Sequence, residues 1–156
     1  HRYSSAASDV YKRQVVGSVF SFTSKLIEGN YPDYEKVFPV GDESKLIVDK
    51  NEFNTALSRA SVLSNEKYRG IRLSLNKDLL KIEANNPEKE SAEEEIKVDY
   101  SGPELEIGFN ISYLQESLTT IKDLSAEIVF FGQESSCIVK NKENEDLIHV
   151  IMPMRL

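Results

Sequence analysis

Ser44-Lys45-Leu46-Ile47-Val48-Asp49-Lys50-Asn51-Glu52-Phe53-Asn54-Thr55-Ala56-Leu57-Ser58-Arg59-Ala60-Ser61-Val62-Leu63 changes its hydrophobic period once, and that change decides the fold. Leu46, Ile47 and Val48 form a short aliphatic run that reads as a strand. Asp49 then stands where a helix N-cap belongs, with Glu52 three residues on, close to a capping box. Phe53, Ala56, Leu57, Ala60 and Leu63 follow at helical spacing, and Ser64-Asn65 ends the helix. A strand feeding straight into an amphipathic helix is one supersecondary unit, and the chain goes on to repeat it.

After that helix, Ile71, Leu73 and Leu75 alternate as a strand, Asn76-Lys77-Asp78 makes a polar turn, and Leu80, Ile82 and Ala84 alternate again. Asn85-Asn86-Pro87 breaks the chain. Ala92, Ile96, Val98 and Tyr100 read as one further strand, interrupted by the polar run 93–95 and turned by Ser101-Gly102-Pro103. The order then recurs. Leu105, Ile107 and Phe109 form a strand, Asn110 caps a helix carrying Leu114, Leu118 and Ile121, and strands over 126–131, 136–140 and 147–152 close the chain. Strand, helix and three strands, twice, predict an α+β fold with two helices on one face of antiparallel sheets.

A length of 156 residues suits one domain with a real core. Hydrophobic content of 40% beside 29% charged residues is the balance of a globular chain. No apolar stretch has the length to span a bilayer, and nothing at the start reads as a signal peptide. The single cysteine excludes an internal disulfide and fits a reducing compartment. A net charge of -7 and a pI near 5.0 argue against coating nucleic acid over the whole surface, yet leave room for a local basic face. With His1 in first place, the chain reads as a fragment or a processed chain. Residues 1–14 carry no clear period and read as a foreign or disordered leader, the alternative being a divergent strand of the preceding domain.

Enzymes need a constellation, and the sequence has no Gly-rich phosphate loop, no GxSxG and no His or Cys pair at metal spacing. No catalytic residue, cofactor or metal is therefore expected. His149 reads as a filler of the last strand, and Cys137 as a small hydrophobe inside another. Glu88, Glu90, Glu93, Glu94 and Glu95 lack the Asx-rich glycine turn that wraps calcium and read as a solvated acidic face. The closing Val150-Ile151-Met152-Pro153-Met154-Arg155-Leu156 is apolar where most chains fray into polar residues. It is either a buried strand or an apolar surface kept to hold a ligand.

Several stretches together resemble the bacterial DNA polymerase III beta subunits, the replicative sliding clamps. They are Ser24-Lys25-Leu26-Ile27-Glu28-Gly29-Asn30-Tyr31-Pro32-Asp33-Tyr34, Leu63-Ser64-Asn65-Glu66-Lys67-Tyr68-Arg69-Gly70, Ala84-Asn85-Asn86-Pro87-Glu88, Tyr100-Ser101-Gly102, Glu106-Ile107-Gly108-Phe109-Asn110 and Met152-Pro153-Met154-Arg155-Leu156. They fall in the family's order over residues 19–156. The resemblance implies a DNA-clamp fold: residues 35–156 as the third of three domains, and 15–34 as the last strand of the middle domain with its linker. It also implies a cytoplasmic, nucleoid-associated, non-catalytic processivity factor of the DNA polymerase III holoenzyme. Such a factor is a ring of two subunits encircling duplex DNA without reading its sequence.

By the same resemblance, a hydrophobic pocket between the second and third domains takes short clamp-binding peptides from polymerases, the clamp loader and repair proteins. Matching positions here are Pro32, Lys36, Val37, Ser136, Val150, Met152, Pro153, Met154, Arg155 and Leu156. Methionine suits that role because it is unbranched and repacks around different partners. Lys36 stands where arginine is expected, keeping the charge and losing the planar fork. Val62, Leu63, Glu88, Glu90, Glu93 and Glu94 match the ring junction, an apolar plug rimmed by charge. Lys50, Asn54, Ser58, Arg59 and Ser61 on the first helix would face the DNA, with Ser112, Gln115, Thr119 and Lys122 on the second, although Glu52 and Glu116 lie nearby. The rival readings are a peptide-binding adaptor outside replication that forms no ring, and an enzyme with an unrecognised site.

Overall fold

A computed structural model describes residues 12–26, 33–142 and 147–155, and the chain divides into two units, His1–Asp33 and Tyr34–Leu156. The described part of the first unit is an antiparallel hairpin of β1 (Lys12–Val16) and β2 (Ser21–Lys25), paired from Val16↔Ser21 to Lys12↔Lys25. Gly17 N–H donates to Phe20 O at 2.8 Å and closes the turn between them. The single strand expected at the start of 15–34 is therefore a reversal between two strands, because Gly17-Ser18 supplies turn residues in its middle. The expected break between residues 14 and 15 falls inside β1, where Gln14 pairs with Thr23.

In the second unit, a 3-10 turn (Tyr34–Val37) leads to β3 (Ser44–Asp49), α1 (Lys50–Ser61), β4 (Gly70–Asn76), β5 (Leu79–Asn85), β6 (Ser91–Lys97) and β7 (Asp99–Ser101). Then come β8 (Leu105–Asn110), α2 (Ile111–Thr120), β9 (Ser125–Phe130), β10 (Cys137–Asn141) and β11 (Ile148–Ile151). Both helices start from the last residue of a strand. The Asp49 side chain accepts from Glu52 N–H at 2.9 Å, and Asn110 Oδ1 accepts from Ser112 N–H at 2.9 Å. α1 stops at Ser61, so Leu63 lies beyond the helix and is half-buried.

The strands form a five-stranded sheet, β11-β10-β9-β3-β7, and a four-stranded sheet, β6-β5-β4-β8. Each sheet borrows the first strand of the other repeat: β3 pairs with β9, from Ser44↔Phe130 to Asp49↔Ser125, and β8 pairs with β4, from Gly70↔Asn110 to Leu75↔Leu105. Neither half is complete alone, and one core joins them through Leu46, Phe53, Leu57, Ile82, Phe109 and Ile128. Phe109 of β8 and Phe130 of β9 meet there with ring centroids 6.4 Å apart.

The single strand expected across 92–100 is two strands. The chain changes sheets at Val98, whose N–H donates to Asp78 O at 3.2 Å. The polar run 93–95 does not interrupt β6, because β6 is an edge strand with one side open to water. Tyr100-Ser101-Gly102 has a packing reason. A Cβ on Gly102 would come within 2.6 Å of Ser44 Cβ and press on the Tyr100 hydroxyl, so only glycine passes. The buried Tyr100 donates to Pro103 O at 2.8 Å, and burial pushes its hydroxyl above the ordinary pKa.

Candidate functional site

The C-terminal segment starts as an edge. Among the described residues β11 pairs only with β10, from Ile148↔Lys140 to Ile151↔Cys137. Pro153 has no N–H to continue a ladder, and Met154 N–H donates instead to Gly108 O at 2.8 Å on β8, the outer strand of the other sheet. The segment thus bridges the two sheets. Met152, just before the crossing, is 71% exposed.

A cleft of about 690 Å³ lies between α2 and β11, lined by Tyr113, Glu116, Ser117, Thr120, Ile148, His149, Val150, Ile151 and Met152. It gathers Val150 and Met152 of the expected set. Met154 and Arg155 line a separate cleft of about 370 Å³ with Gly108 and Glu134. Ser136 is half-buried beside β10, and Val37, with Phe38 after it, is an exposed apolar residue of the 3-10 turn that also holds the exposed Lys36. Pro32 and Leu156 lie outside the described residues. Tyr113, Thr120 and His149 belong to the first cleft and escaped the sequence reading. Tyr113, 57% exposed, is the one with a legible signal: a large aromatic off the Leu114–Leu118 stripe of α2. His149 Nε2 and Thr120 Oγ1 lie 2.6 Å apart, which ties β11 to the end of α2.

The expected junction residues divide. Val62, 78% exposed just past α1, shares a cleft of about 490 Å³ with Asn65, Lys67, Asn86, Pro87, Glu88 and Glu90. Asn86 builds the turn there: its Oδ1 accepts from Glu90 N–H at 2.9 Å, and its amide donates to the Glu90 carboxylate at 2.8 Å. Glu93 pairs with Lys81 at 2.9 Å, and that pairing leads the upward shift of the Lys81 pKa. Glu94 points inward and accepts two hydrogen bonds of 2.8 Å from Arg59, which raise the Arg59 pKa. Among the described residues Glu88 has no such partner.

Arg59 was expected to face outward for DNA, and it is held by one of the expected junction acids. Lys50 is also engaged, with its ammonium donating to Ile121 O at 2.9 Å and its N–H to Leu124 O at 2.9 Å. These bonds set the start of α1 beside the end of α2, so the helices run antiparallel. Between them, Gln115 Nε2 donates to Ser58 Oγ at 3.0 Å and Asn54 Oδ1 at 3.3 Å. Thr119 is exposed and donates to Glu116 O, and Lys122 is exposed at the end of α2. The helix face is polar and nearly neutral.

Cys137 is buried, and burial pushes its thiol up to about 12, so it stays neutral and unreactive at physiological pH. Among the described residues no group of His, Cys, Asp or Glu has the geometry to hold a metal ion, and no helix is long and apolar enough to cross a membrane.

Comparison with known proteins gives one answer at three levels. The family described as the DNA polymerase III beta subunit, C-terminal domain, matches residues 35–155. The beta sliding clamp of Pseudomonas aeruginosa is 50% identical over 137 residues, which cover 88% of this chain and 37% of that protein. The beta sliding clamp of Escherichia coli K12 is 43% identical over 137 residues, with the same coverage of 88% and 37%. The crystal structure of the DNA polymerase III subunit beta from P. aeruginosa superposes with a TM-score of 0.86 at 47% identity, covering 93% of this chain and 40% of that one. A P. aeruginosa clamp structure bound to griselimycin gives 0.85 at 47% identity, covering 94% and 40%. The chain spans about two fifths of the length of these relatives.

Proposed function

The chain belongs to the DNA polymerase III beta subunit family through its C-terminal domain, and from that premise we propose that it is the third domain of a replicative sliding clamp. The protein it serves is a non-catalytic processivity factor of the bacterial cytoplasm and nucleoid. Two subunits close a ring around duplex DNA, and catalysis belongs to the polymerase docked on it. A ring holds DNA by topology, so it needs only weak, mobile phosphate contacts, and a nearly neutral helix face suits sliding. Val62 and Leu63 with Glu88, Glu90, Glu93 and Glu94 are our proposed ring junction, an apolar pair set among acids that a basic surface would complement.

The observation that carries the docking role is the α2–β11 cleft, where Tyr113, Val150 and the exposed Met152 surround about 690 Å³ of open space. An extended peptide from a polymerase, clamp loader or repair protein would bury one or two apolar anchors there, and such anchors carry most of the binding energy. On the family resemblance, Val37, Ser136, Pro153, Met154, Arg155 and Lys36 would belong to the same docking surface, with Met154 and Arg155 reaching it from the neighbouring cleft.

The test is a titration of isotope-labelled chain with a peptide containing leucine and phenylalanine, followed by amide and methyl shifts. Shifts are expected at Tyr113, Val150, Met152 and Met154, with Met152→Ala weakening binding about tenfold, as expected of an anchor worth more than about 1 kcal/mol. Saturating peptide that leaves these residues still, even when the preceding domain is restored, overturns the docking role.

A further inference from the structure

In the stretch Asn65-Glu66-Lys67-Tyr68-Arg69 the first three residues line the cleft beside Val62, Tyr68 and Arg69 have no task in the reading above, and the backbone is tightly held. Asn65 Oδ1 accepts from Lys67 N–H at 2.9 Å and Tyr68 N–H at 3.0 Å, and Asn65 O accepts from Arg69 N–H at 2.7 Å. The loop is then fastened to the start of α2. Ile111 N–H donates to Arg69 O at 2.9 Å, and Asn110 Nδ2 donates to Tyr68 O at 3.1 Å. Arg69 sits at φ +47°, a conformation that residues with a Cβ rarely adopt. With the backbone groups turned inward, four side chains stand in water: Glu66, Lys67, Tyr68 (55% exposed) and Arg69. The Lys67 ammonium lies 5.2 Å from the centre of the Tyr68 ring, so cation and aromatic are displayed as a unit.

Charge elsewhere on the helix layer makes this loop matter. Lys50 is held by Ile121 O and Arg59 by Glu94. Among the described residues Lys67, Arg69 and Lys122 have no acidic partner, and they flank the two ends of α2. We propose that residues 66–69 form a DNA contact, with Lys67 and Arg69 on phosphates and Tyr68 against a sugar or an unstacked base. The proposal rests on the clamp reading, in which the helix layer faces DNA, and adds to it a point of grip at the α2 N-terminus. Glu66 lies in the loop, and Glu88 and Glu90 share a cleft with Lys67, but Tyr68 and Arg69 do not line that cleft. The basic flank is therefore the Tyr68–Arg69 side.

The experiment follows amide shifts of the labelled chain at low salt as a short blunt DNA duplex of arbitrary sequence is added. The variant is K67Q/R69G, in which glycine keeps the left-handed backbone and so preserves the fold. Shifts over 65–70 are expected together with Lys122. The variant should flatten the slope of log K against log salt by about 2, roughly 1 for each phosphate it no longer neutralises. Tyr68→Ala should weaken a duplex with a single-stranded overhang more than a blunt one. Shifts at Gln115 and Lys122 with 65–70 unmoved, or an unchanged salt slope, overturn the loop contact and leave the helix-face reading standing. No shift anywhere overturns both, while the peptide titration reports on docking separately. Preference of 65–70 for a polyglutamate peptide over DNA would also overturn it, by assigning the loop to an acidic partner.

Discussion

The two halves of Tyr34–Leu156 put different chemistry at the same place. In each, the tenth residue of the helix meets an inward-pointing residue on an edge strand. In the first half Arg59 grips Glu94 of β6 through two bonds of 2.8 Å; in the second Thr120 and His149 of β11 meet at 2.6 Å without a carboxylate. The outer sheet faces both carry ion pairs and differ only in what lies beside them. Arg72–Glu106 and Lys81–Glu93 pair across the four-stranded sheet, and Lys45–Glu127 and Lys140–Glu127 across the five-stranded one, which adds an apolar row of Ile138, Val129 and Val150 running to its β11 edge. The topology demands something polar where a helix end reaches an open sheet edge, and leaves its character free. A charged edge resists casual strand addition, and a more apolar one can receive a ligand. Duplication supplied the frame, and divergence of its edges supplied two kinds of surface.

If the halves share one core, they must fail together. Phe53→Ala and Leu114→Ala, at the fourth residue of each helix and both buried, should each cost about 2–5 kcal/mol and lower one common urea transition. Two separated transitions would break the comparison at its base. Gly102→Ala touches only the first half. It should cost about 1–3 kcal/mol through overpacking against Ser44 and Tyr100, read as a fall in Tm. Ser44→Gly in the same chain should recover part of that loss.

Alkali should distinguish the inner faces of the sheets. The inward positions of β5 are Leu80, Ile82 and Ala84, and those of β10 are Cys137, Val139 and Asn141. The folded pKa of Cys137, about 12, lies above the ordinary thiol value of 9.0, so its contribution is whole below about pH 9 and is lost as pH rises through about 12. Urea midpoints should fall over that window, and less steeply in Cys137→Val. Tyr100, also raised by burial, should leave a residual slope of the same sign. The smallest effect is the most specific. In double-mutant cycles the Arg59/Glu94 coupling should fade as NaCl is added, whereas the Thr120/His149 coupling should hold. Equal salt dependence would mean the two pairs are electrostatically alike.

Much of this was legible residue by residue. The capping of α1 by Asp49 and of α2 by Asn110, the alternation of β4 and β5, and the repeat itself are written in residues only a few positions apart. The α2–β11 cleft was legible in part: Val150 and Met152 stood out as apolar residues near a terminus, but Tyr113 and Thr120 look like ordinary helix surface until β11 lies beside them. Arg59 and Lys50 looked like free cations because their partners are 35 and 71 residues away.

By itself, then, the sequence determined the period of the elements, the starts of both helices and the repeated order apart from the splits at Val98 and Gly17-Ser18, and through the resemblance of its motifs the family. Those properties depend on which residues recur within a turn of helix or a step of strand. Only the tertiary structure decided that β3 and β8 change places between the halves, that the chain changes sheets at Val98, and that Glu94 faces Arg59 rather than water. A strand carries the same alternation whichever neighbour it pairs with, and a charge looks the same along the chain whether or not folding brings it an opposite one.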